Sequence, residues 1–143
     1  MLLEQIMAQL TEHRSPQYIT GKAYFRDLEL SVDERVLIPR PETEELVDLV
    51  LKENSRADLR VLDIGTGSGA IAISLKAARP NWQVTASDIS ADALQLAKEN
   101  ALKNQVELTL IQSDVFSQIT ERFDMIISNP PYIAYDDEDE VGI

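Results

Sequence analysis

The chain has 143 residues, of which 44% are hydrophobic and 27% charged, proportions typical of a single globular domain. The absence of cysteine excludes disulfides and thiolate chemistry and fits a cytoplasmic location. With His13 as the one histidine, a zinc site is also disfavoured, and we expect no bound metal. With 25 acidic against 13 basic residues the net charge is −12, so the basic face typical of direct nucleic-acid binding is not expected. No apolar run is long enough for a membrane span.

The first part of the chain predicts a short helix followed by a β-hairpin. Apolar residues recur at helical spacing over residues 2–12, which is typical of an amphipathic helix with one buried face. Residues 18–32 are predicted to form two antiparallel strands around a tight turn at Arg26-Asp27.

A second helix is predicted to begin within the loop Leu37-Ile38-Pro39-Arg40-Pro41-Glu42-Thr43-Glu44. Pro41 suits a first helical turn, and the acidic residues after it complement the positive end of the helix dipole. The helix should end near Asn54 and turn five apolar residues inward: Leu46, Val47, Leu49, Val50 and Leu51. Residues 1–57 are therefore predicted to be a leading unit of helix, hairpin linker and second helix.

Strands and helices alternate from residue 58 onward. Strands are predicted at residues 60–64, 83–87, 106–111 and 123–128, and helices at residues 70–78 and 91–102, the latter capped by Ser90. Strand-helix-strand units at this spacing form right-handed crossovers and a parallel, doubly wound sheet. The predicted fold class is therefore α/β with a Rossmann-like sheet.

The fourth predicted strand indicates that the sheet continues beyond this chain. In an order of third, second, first and fourth strand, the fourth would be an exposed edge. Its residues 125–127 are Met-Ile-Ile, which is too apolar for such an edge. We therefore expect residues 58–143 to be the N-terminal half of a larger domain, and the chain to be a fragment of a longer protein.

A glycine-rich turn, Asp63-Ile64-Gly65-Thr66-Gly67-Ser68-Gly69, follows the first of these strands. Such a turn lets a ligand approach the backbone at the start of the next helix. Gly65, Gly67 and Ala70 also satisfy the dinucleotide pattern G-x-G-x-x-G/A, so a nicotinamide enzyme is a competing hypothesis. A carboxylate at Asp63 favours instead a cofactor that carries an ammonium and a sulfonium.

Two further acidic residues follow the second and third strands. Asp88 is placed to accept hydrogen bonds from ribose hydroxyl groups, a role that both kinds of cofactor would use. Asp114 is a candidate acceptor for an adenine amino group, with Val115 or Phe116 against the ring. These positions complete a predicted nucleoside site at the carboxyl ends of the strands.

The tetrapeptide Asn129-Pro130-Pro131-Tyr132 follows the fourth strand and distinguishes between the cofactors. The Asn129 side-chain oxygen and the Pro130 carbonyl can accept both N–H groups of a planar amide, on a backbone that the prolines make rigid. The ring of Tyr132 can pack against the flat group. This arrangement predicts methyl transfer to nitrogen, for which Asn129, Pro130 and Tyr132 are the catalytic candidates and Pro131 lies in the same substrate loop.

These motifs closely resemble those of the protein-(glutamine-N5) methyltransferases that modify peptide chain release factors. The resemblance rests on the segments Ile38-Pro39-Arg40-Pro41-Glu42-Thr43-Glu44, Gly65-Thr66-Gly67-Ser68-Gly69, Asn129-Pro130-Pro131-Tyr132-Ile133 and Asp137-Glu138-Asp139-Glu140-Val141-Gly142. It implies a Rossmann-like S-adenosylmethionine-dependent methyltransferase fold, with the cofactor held by the glycine loop, by Asp88 and by residues at or just after Asp114. It also implies that the loop beginning at Asn129, which borders the cofactor as well, holds the glutamine of the release factor's Gly-Gly-Gln motif.

Two alternatives remain open on the sequence. The same loop could hold an exocyclic amine of a nucleic acid, although the acidic charge balance disfavours that substrate. The chain could also be a fragment that binds the cofactor without activity, since it retains only what looks like the last helix of the family's N-terminal helical domain.

Overall fold

The computed structural model describes residues 20–129 of the chain. The elements are β1 (Lys22–Phe25), β2 (Leu28–Ser31), α1 (Pro41–Glu53), β3 (Arg60–Ile64), α2 (Ala70–Ala78), β4 (Gln83–Asp88), α3 (Ala91–Lys103), β5 (Thr109–Gln112) and β6 (Met125–Ser128). β1 and β2 form an antiparallel hairpin, and the other four strands form a parallel sheet in the order β5-β4-β3-β6. The predicted α/β class and strand order are confirmed, whereas the helix predicted at residues 2–12 lies outside the described residues.

The hairpin turns where the sequence predicts and is anchored to α1. Arg26 and Asp27 have φ angles of 48° and 70°, the left-handed pair that suits a two-residue hairpin turn. The Arg26 backbone N–H donates to Glu44 Oε2 at 2.9 Å, and its guanidinium lies 2.9 Å from Asp48 Oδ1. Side chains from the first two turns of α1 therefore fix the position of the hairpin.

Helix α1 starts at Pro41, after an extended residue Arg40, and presents one apolar face to the core. Val47 is fully buried, and Leu46, Val50 and Leu51 pack beside it. Leu49, also predicted to face inward, is 51% exposed because two residues of helix rotate it by about 200° from Val47. Within residues 20–129 no helix is long and apolar enough to cross a membrane.

One hydrophobic core joins the hairpin, α1 and the sheet. Phe25 and Leu30 of the hairpin belong to the same buried cluster as Val47 of α1 and Val61 of β3. Trp82, before β4, is fully buried in this cluster, and its indole N–H donates to the Arg56 carbonyl at 2.9 Å. Residues on both sides of the division predicted between residues 57 and 58 contribute to this core. The division itself stays a prediction.

Strand β5 begins three residues later than predicted, because backbone N–H groups just after α3 form hydrogen bonds to the last turn of that helix. Gln105 has a φ of 59° and donates its N–H to Leu102 O at 3.1 Å, while Val106 N–H donates to Ala101 O at 3.0 Å. These two bonds are the Schellman pattern that closes a helix. Val106 is therefore engaged in ending α3 rather than in pairing with β4.

All four parallel strands end at the same edge of the sheet, which positions the candidate site. Ile64 at the end of β3 pairs with Ser87 of β4 on one side and with Ser128 of β6 on the other. Asp88 pairs with Gln112 at the end of β5. The loops that follow these ends carry the predicted functional residues, as expected for an open α/β sheet.

Candidate functional site

A cavity of about 930 Å³ opens at the carboxyl edge of the sheet. Its walls come from the glycine loop after β3, from residues that follow β4 and β5, from Asn129 after β6, and from the segment leading into α1. Its volume is sufficient for a nucleoside-sized ligand together with part of a second molecule. In the part of the chain that the structure describes, no group of three or more His, Cys, Asp or Glu residues could hold a metal ion.

Most of the predicted site residues meet in this cavity. Those in its wall are Gly65, Thr66, Gly67, Ser68, Asp88, Asp114, Val115 and Asn129. Asp63, Gly69 and Phe116 are not among the residues that line it. Pro130, Pro131 and Tyr132 lie outside the described residues, so their roles stay predictions.

The glycine loop is held against the end of β4 by its own backbone. Gly65 N–H and Thr66 N–H both donate to Ser87 O at 2.9 Å, and Gly67 N–H donates to Asp88 Oδ2 at 2.9 Å. These three N–H groups are therefore not available to the pyrophosphate of a dinucleotide, and Gly67 lies beside a carboxylate. This arrangement disfavours the nicotinamide hypothesis.

Gly67 and Gly69 have positive φ angles for different reasons. At Gly67, with φ of 57°, an added Cβ would meet no atom within 4 Å, because the residue borders the cavity. At Gly69, with φ of 88°, an added Cβ would lie 3.0 Å from Ile73 Cδ1 and 3.2 Å from Ala97 Cβ. Gly67 therefore leaves room for a ligand, whereas Gly69 allows α2 to pack closely on α3.

Asp88 links the glycine loop to the start of α3. Its Oδ2 accepts from Gly67 N–H, and its Oδ1 accepts from Ser90 N–H at 3.0 Å. Each carboxylate oxygen keeps a second lone pair for a ligand hydroxyl group. The next residue, Ile89, lines the cavity and is 64% exposed. The sequence analysis missed Ile89, although an apolar residue directly after a strand-ending acid was an available signal.

The turn after β5 holds Val115 in an unusual conformation. Val115 has a φ of 55°, which is rare for a β-branched residue. Ser113 Oγ donates to the Val115 carbonyl at 2.9 Å, and Asp114 N–H donates to Ser117 Oγ at 3.1 Å. Val115 and the exposed Asp114 line the cavity, whereas Phe116, which is 54% exposed, does not. Local strain of this kind is a feature of binding sites.

Asp63 supports the glycine loop from its buried side. It is 1% exposed, and the Thr66 hydroxyl donates to its Oδ2 at 2.7 Å. Burial, aided by the nearby charge of Asp88, raises the pKa of the Asp63 carboxyl to about 7 against the opposing hydrogen bonds from Thr66 and the Ala72 backbone. Direct contact between Asp63 and a cationic cofactor stays a prediction.

The raised pKa of Asp63 predicts a stability that falls as pH rises. Between pH 4 and pH 7 the folded chain retains a proton on Asp63 that the unfolded chain, with its ordinary pKa of 3.8, has released. The contribution is fully present below pH 4 and is lost as pH rises through 7. Relative to Asp63→Asn, the free energy of unfolding should fall by roughly 2–3 kcal/mol from pH 5 to pH 8. Urea unfolding of both proteins across this range measures the difference, and parallel pH profiles would contradict the prediction.

Asn129 is bound to the first turn of α1. Its Nδ2 donates to Thr43 Oγ1 at 3.2 Å, across 86 positions of sequence. Thr43 is 9% exposed and lines the same cavity. The sequence analysis quoted Thr43 in a motif but assigned it no function, because nothing local indicates so distant a partner.

Asn100 connects the glycine loop to the hairpin. This fully buried residue of α3 accepts from Ser31 N–H with Oδ1 at 2.7 Å. Its Nδ2 donates to the carbonyls of Ser31 at 3.0 Å and Ser68 at 2.9 Å. The sequence analysis missed Asn100 as well, since an asparagine within a helical pattern normally indicates a solvated position.

Comparison with known proteins gives consistent results. Residues 43–141 match the family described as "Methyltransferase small domain". The release factor glutamine methyltransferase of Lactococcus lactis subsp. lactis (strain IL1403) is 62% identical over 140 residues, which cover 98% of this chain and 52% of that protein. The chain spans about half the length of the curated relatives it matches.

Solved methyltransferase structures share the fold. The ribosomal protein L11 methylase from Lactobacillus delbrueckii subsp. bulgaricus superposes with a TM-score of 0.58 at 30% identity, over 64% of this chain and 47% of that one. Methanocaldococcus jannaschii Trm5 in complex with adenosine gives 0.64 at 26% identity, over 78% of this chain and 34% of that one. With the family match covering well over half of its residues, the chain belongs to the methyltransferase small domain family.

Proposed function

We propose that the full-length protein carrying this chain transfers a methyl group from S-adenosylmethionine to a glutamine side-chain nitrogen, in the Gly-Gly-Gln motif of peptide chain release factors. The proposal rests on one observation, that a single cavity joins the glycine loop, Asp88 and Asn129. The 62% identity to a release factor glutamine methyltransferase, over 98% of the chain, supports the choice of substrate.

The cavity wall fits S-adenosylmethionine. The open space beside Gly65 and Gly67 lets a ligand lie against the backbone, and Asp88 has lone pairs available for ribose hydroxyl groups. Ile89 and Val115 offer exposed apolar surface for an adenine ring. When bound, S-adenosylmethionine supplies a methyl group carried on a positively charged sulfur. The adenosine in the related Trm5 structure supports a nucleoside site in this fold.

On the substrate side, Asn129 would orient the glutamine amide. An amide nitrogen is a weak nucleophile because its lone pair is delocalised into the carbonyl. Acceptors at Asn129 Oδ1 and the Pro130 carbonyl would hold both of its N–H groups, and Tyr132 would pack on its flat face. The contributions of Pro130 and Tyr132 rest on the sequence motif. The N–C bond would form as the S–C bond breaks, S-adenosylhomocysteine would leave, and the nitrogen would release one proton to solvent afterwards, so no titrating base is needed before methyl transfer.

The charge of the chain supports a protein substrate. With a net charge of −12, the chain would repel a phosphate backbone rather than bind it. A glutamine in a protein substrate carries no phosphate and imposes no such cost. We place the reaction in the cytoplasm, in keeping with the cysteine-free sequence.

The proposed function is tested with labelled methyl donor. The full-length protein is incubated with tritiated S-adenosylmethionine and, in separate reactions, a release factor, the same factor with its motif glutamine replaced by alanine, and ribosomal RNA. We expect label only in the unmodified release factor. Label in RNA would overturn the proposal in favour of nucleic-acid methylation. Label in neither substrate, with S-adenosylhomocysteine binding to the chain by calorimetry, would favour a cofactor-binding role without this activity.

A further inference from the structure

The contact between Thr43 and Asn129 engages the nitrogen end of the Asn129 amide. Nδ2 donates to the Thr43 hydroxyl oxygen at 3.2 Å. No donor among residues 20–129 forms a hydrogen bond to Asn129 Oδ1, and both side chains line the cavity. An amide nitrogen only donates, so Oδ1, which has no partner among these residues, is the acceptor that this amide offers to a substrate N–H group.

Thr43 is held more rigidly than Asn129. It lies in the first turn of α1, where its N–H donates to Arg40 O at 2.9 Å, and its β-branched side chain is 9% exposed. The same helix is fixed by buried Val47 and by the bond from Arg26 N–H to Glu44. Asn129, by contrast, is an exposed residue just after β6. Orientation of its amide therefore depends on the more rigid partner.

We propose that Thr43 is a positioning residue, which fixes the Asn129 amide so that Oδ1 accepts a hydrogen bond from the substrate nitrogen. This inference rests on the proposed function and adds a second element, α1, to the substrate side of the site. It also gives separate roles to adjacent residues of the Pro41-Glu42-Thr43-Glu44 motif. Thr43 binds Asn129, whereas Glu44 binds the hairpin.

The kinetic test uses the full-length protein with Thr43→Val, which removes the hydroxyl at nearly constant shape, and Thr43→Ser, which keeps it. We expect Thr43→Val to lower kcat about tenfold, with the Kd for S-adenosylhomocysteine within about twofold of wild type. Thr43→Ser should retain kcat within about twofold. Glu44→Gln controls for disturbance of this helical turn and should leave kcat near wild type. Unchanged kcat in Thr43→Val, or equal losses in the Val and Ser variants, would overturn the proposal.

A spectroscopic test on this chain separates the contact from the identity of the substrate. The side-chain amide signals of Asn129 are assigned in a ¹⁵N-labelled sample by their loss in Asn129→Asp. We expect Thr43→Val to shift these signals and Thr43→Ser to leave them nearly in place. A protein that methylates no glutamine but shows this contrast would refute the proposed function and still support the Thr43 contact. Identical Asn129 signals in Thr43→Val and in wild type would overturn the proposed role of Thr43.

Discussion

The substitution Asn129→Ala is expected to lower the turnover number for methyl transfer by about 100- to 1,000-fold. Removing one preorganised polar group from an active site usually lowers kcat by this factor. In the proposed mechanism, loss of Oδ1 removes an acceptor that would hold the substrate nitrogen in line with the methyl group. Binding of S-adenosylhomocysteine should weaken by less than about threefold, because the glycine loop and Asp88 are held by contacts that do not involve Asn129. Single-turnover kinetics and calorimetry on the full-length protein measure the two quantities.

Asn81 provides a matched control for this substitution. It is an exposed asparagine that precedes β4 and does not line the cavity. Asn81→Ala should therefore leave both turnover and cofactor affinity near wild type. Turnover in Asn129→Ala above roughly a tenth of the wild-type value would contradict the role given to its side chain.

The strand order was predictable because it follows from local patterns and general rules of chain connection. Apolar runs of strand length, glycine and proline breaks, and right-handed crossovers place β3 between β4 and β6. Positions near element ends were less predictable. Val106 is apolar enough to extend β5, yet its N–H closes α3 because Gln105 adopts a left-handed conformation that the sequence does not indicate.

The residues of the candidate site likewise include some whose position could be predicted from the sequence and some whose position could not. Gly67 and Asp88 line the cavity and were predictable because Asp88 ends a strand and Gly67 lies in the loop after one, where ligands bind in this architecture. Asp63 was expected to face a ligand; the fold buries its side chain and engages it with Thr66, and its contact with a cofactor stays a prediction. Whether a residue beside a loop points into a cavity or into the core depends on packing that sequence spacing does not specify.

The substitution Asn100→Leu is expected to lower the free energy of unfolding by about 3–4 kcal/mol. Leucine keeps the branched shape but leaves the part-buried Ser31 N–H and carbonyl and the buried Ser68 carbonyl without their partner. Leaving such groups unpaired costs more than the net strength of the bonds themselves. Urea unfolding of this chain measures the loss, and a change below about 1 kcal/mol would contradict the prediction.

A second asparagine, Asn104 at the C-cap of α3, separates this effect on stability from an effect on the site. Asn104 Nδ2 donates to the hairpin carbonyl of Glu29 at 3.0 Å but makes no hydrogen bond to the glycine loop within residues 20–129. Asn104→Ala should therefore cost about 1 kcal/mol and leave S-adenosylhomocysteine affinity unchanged. Asn100→Leu frees the Ser68 carbonyl inside the loop, so its folded fraction should bind S-adenosylhomocysteine about tenfold more weakly. Equal affinities in the two variants would limit Asn100 to a role in stability, because the glycine loop would then keep its shape without it.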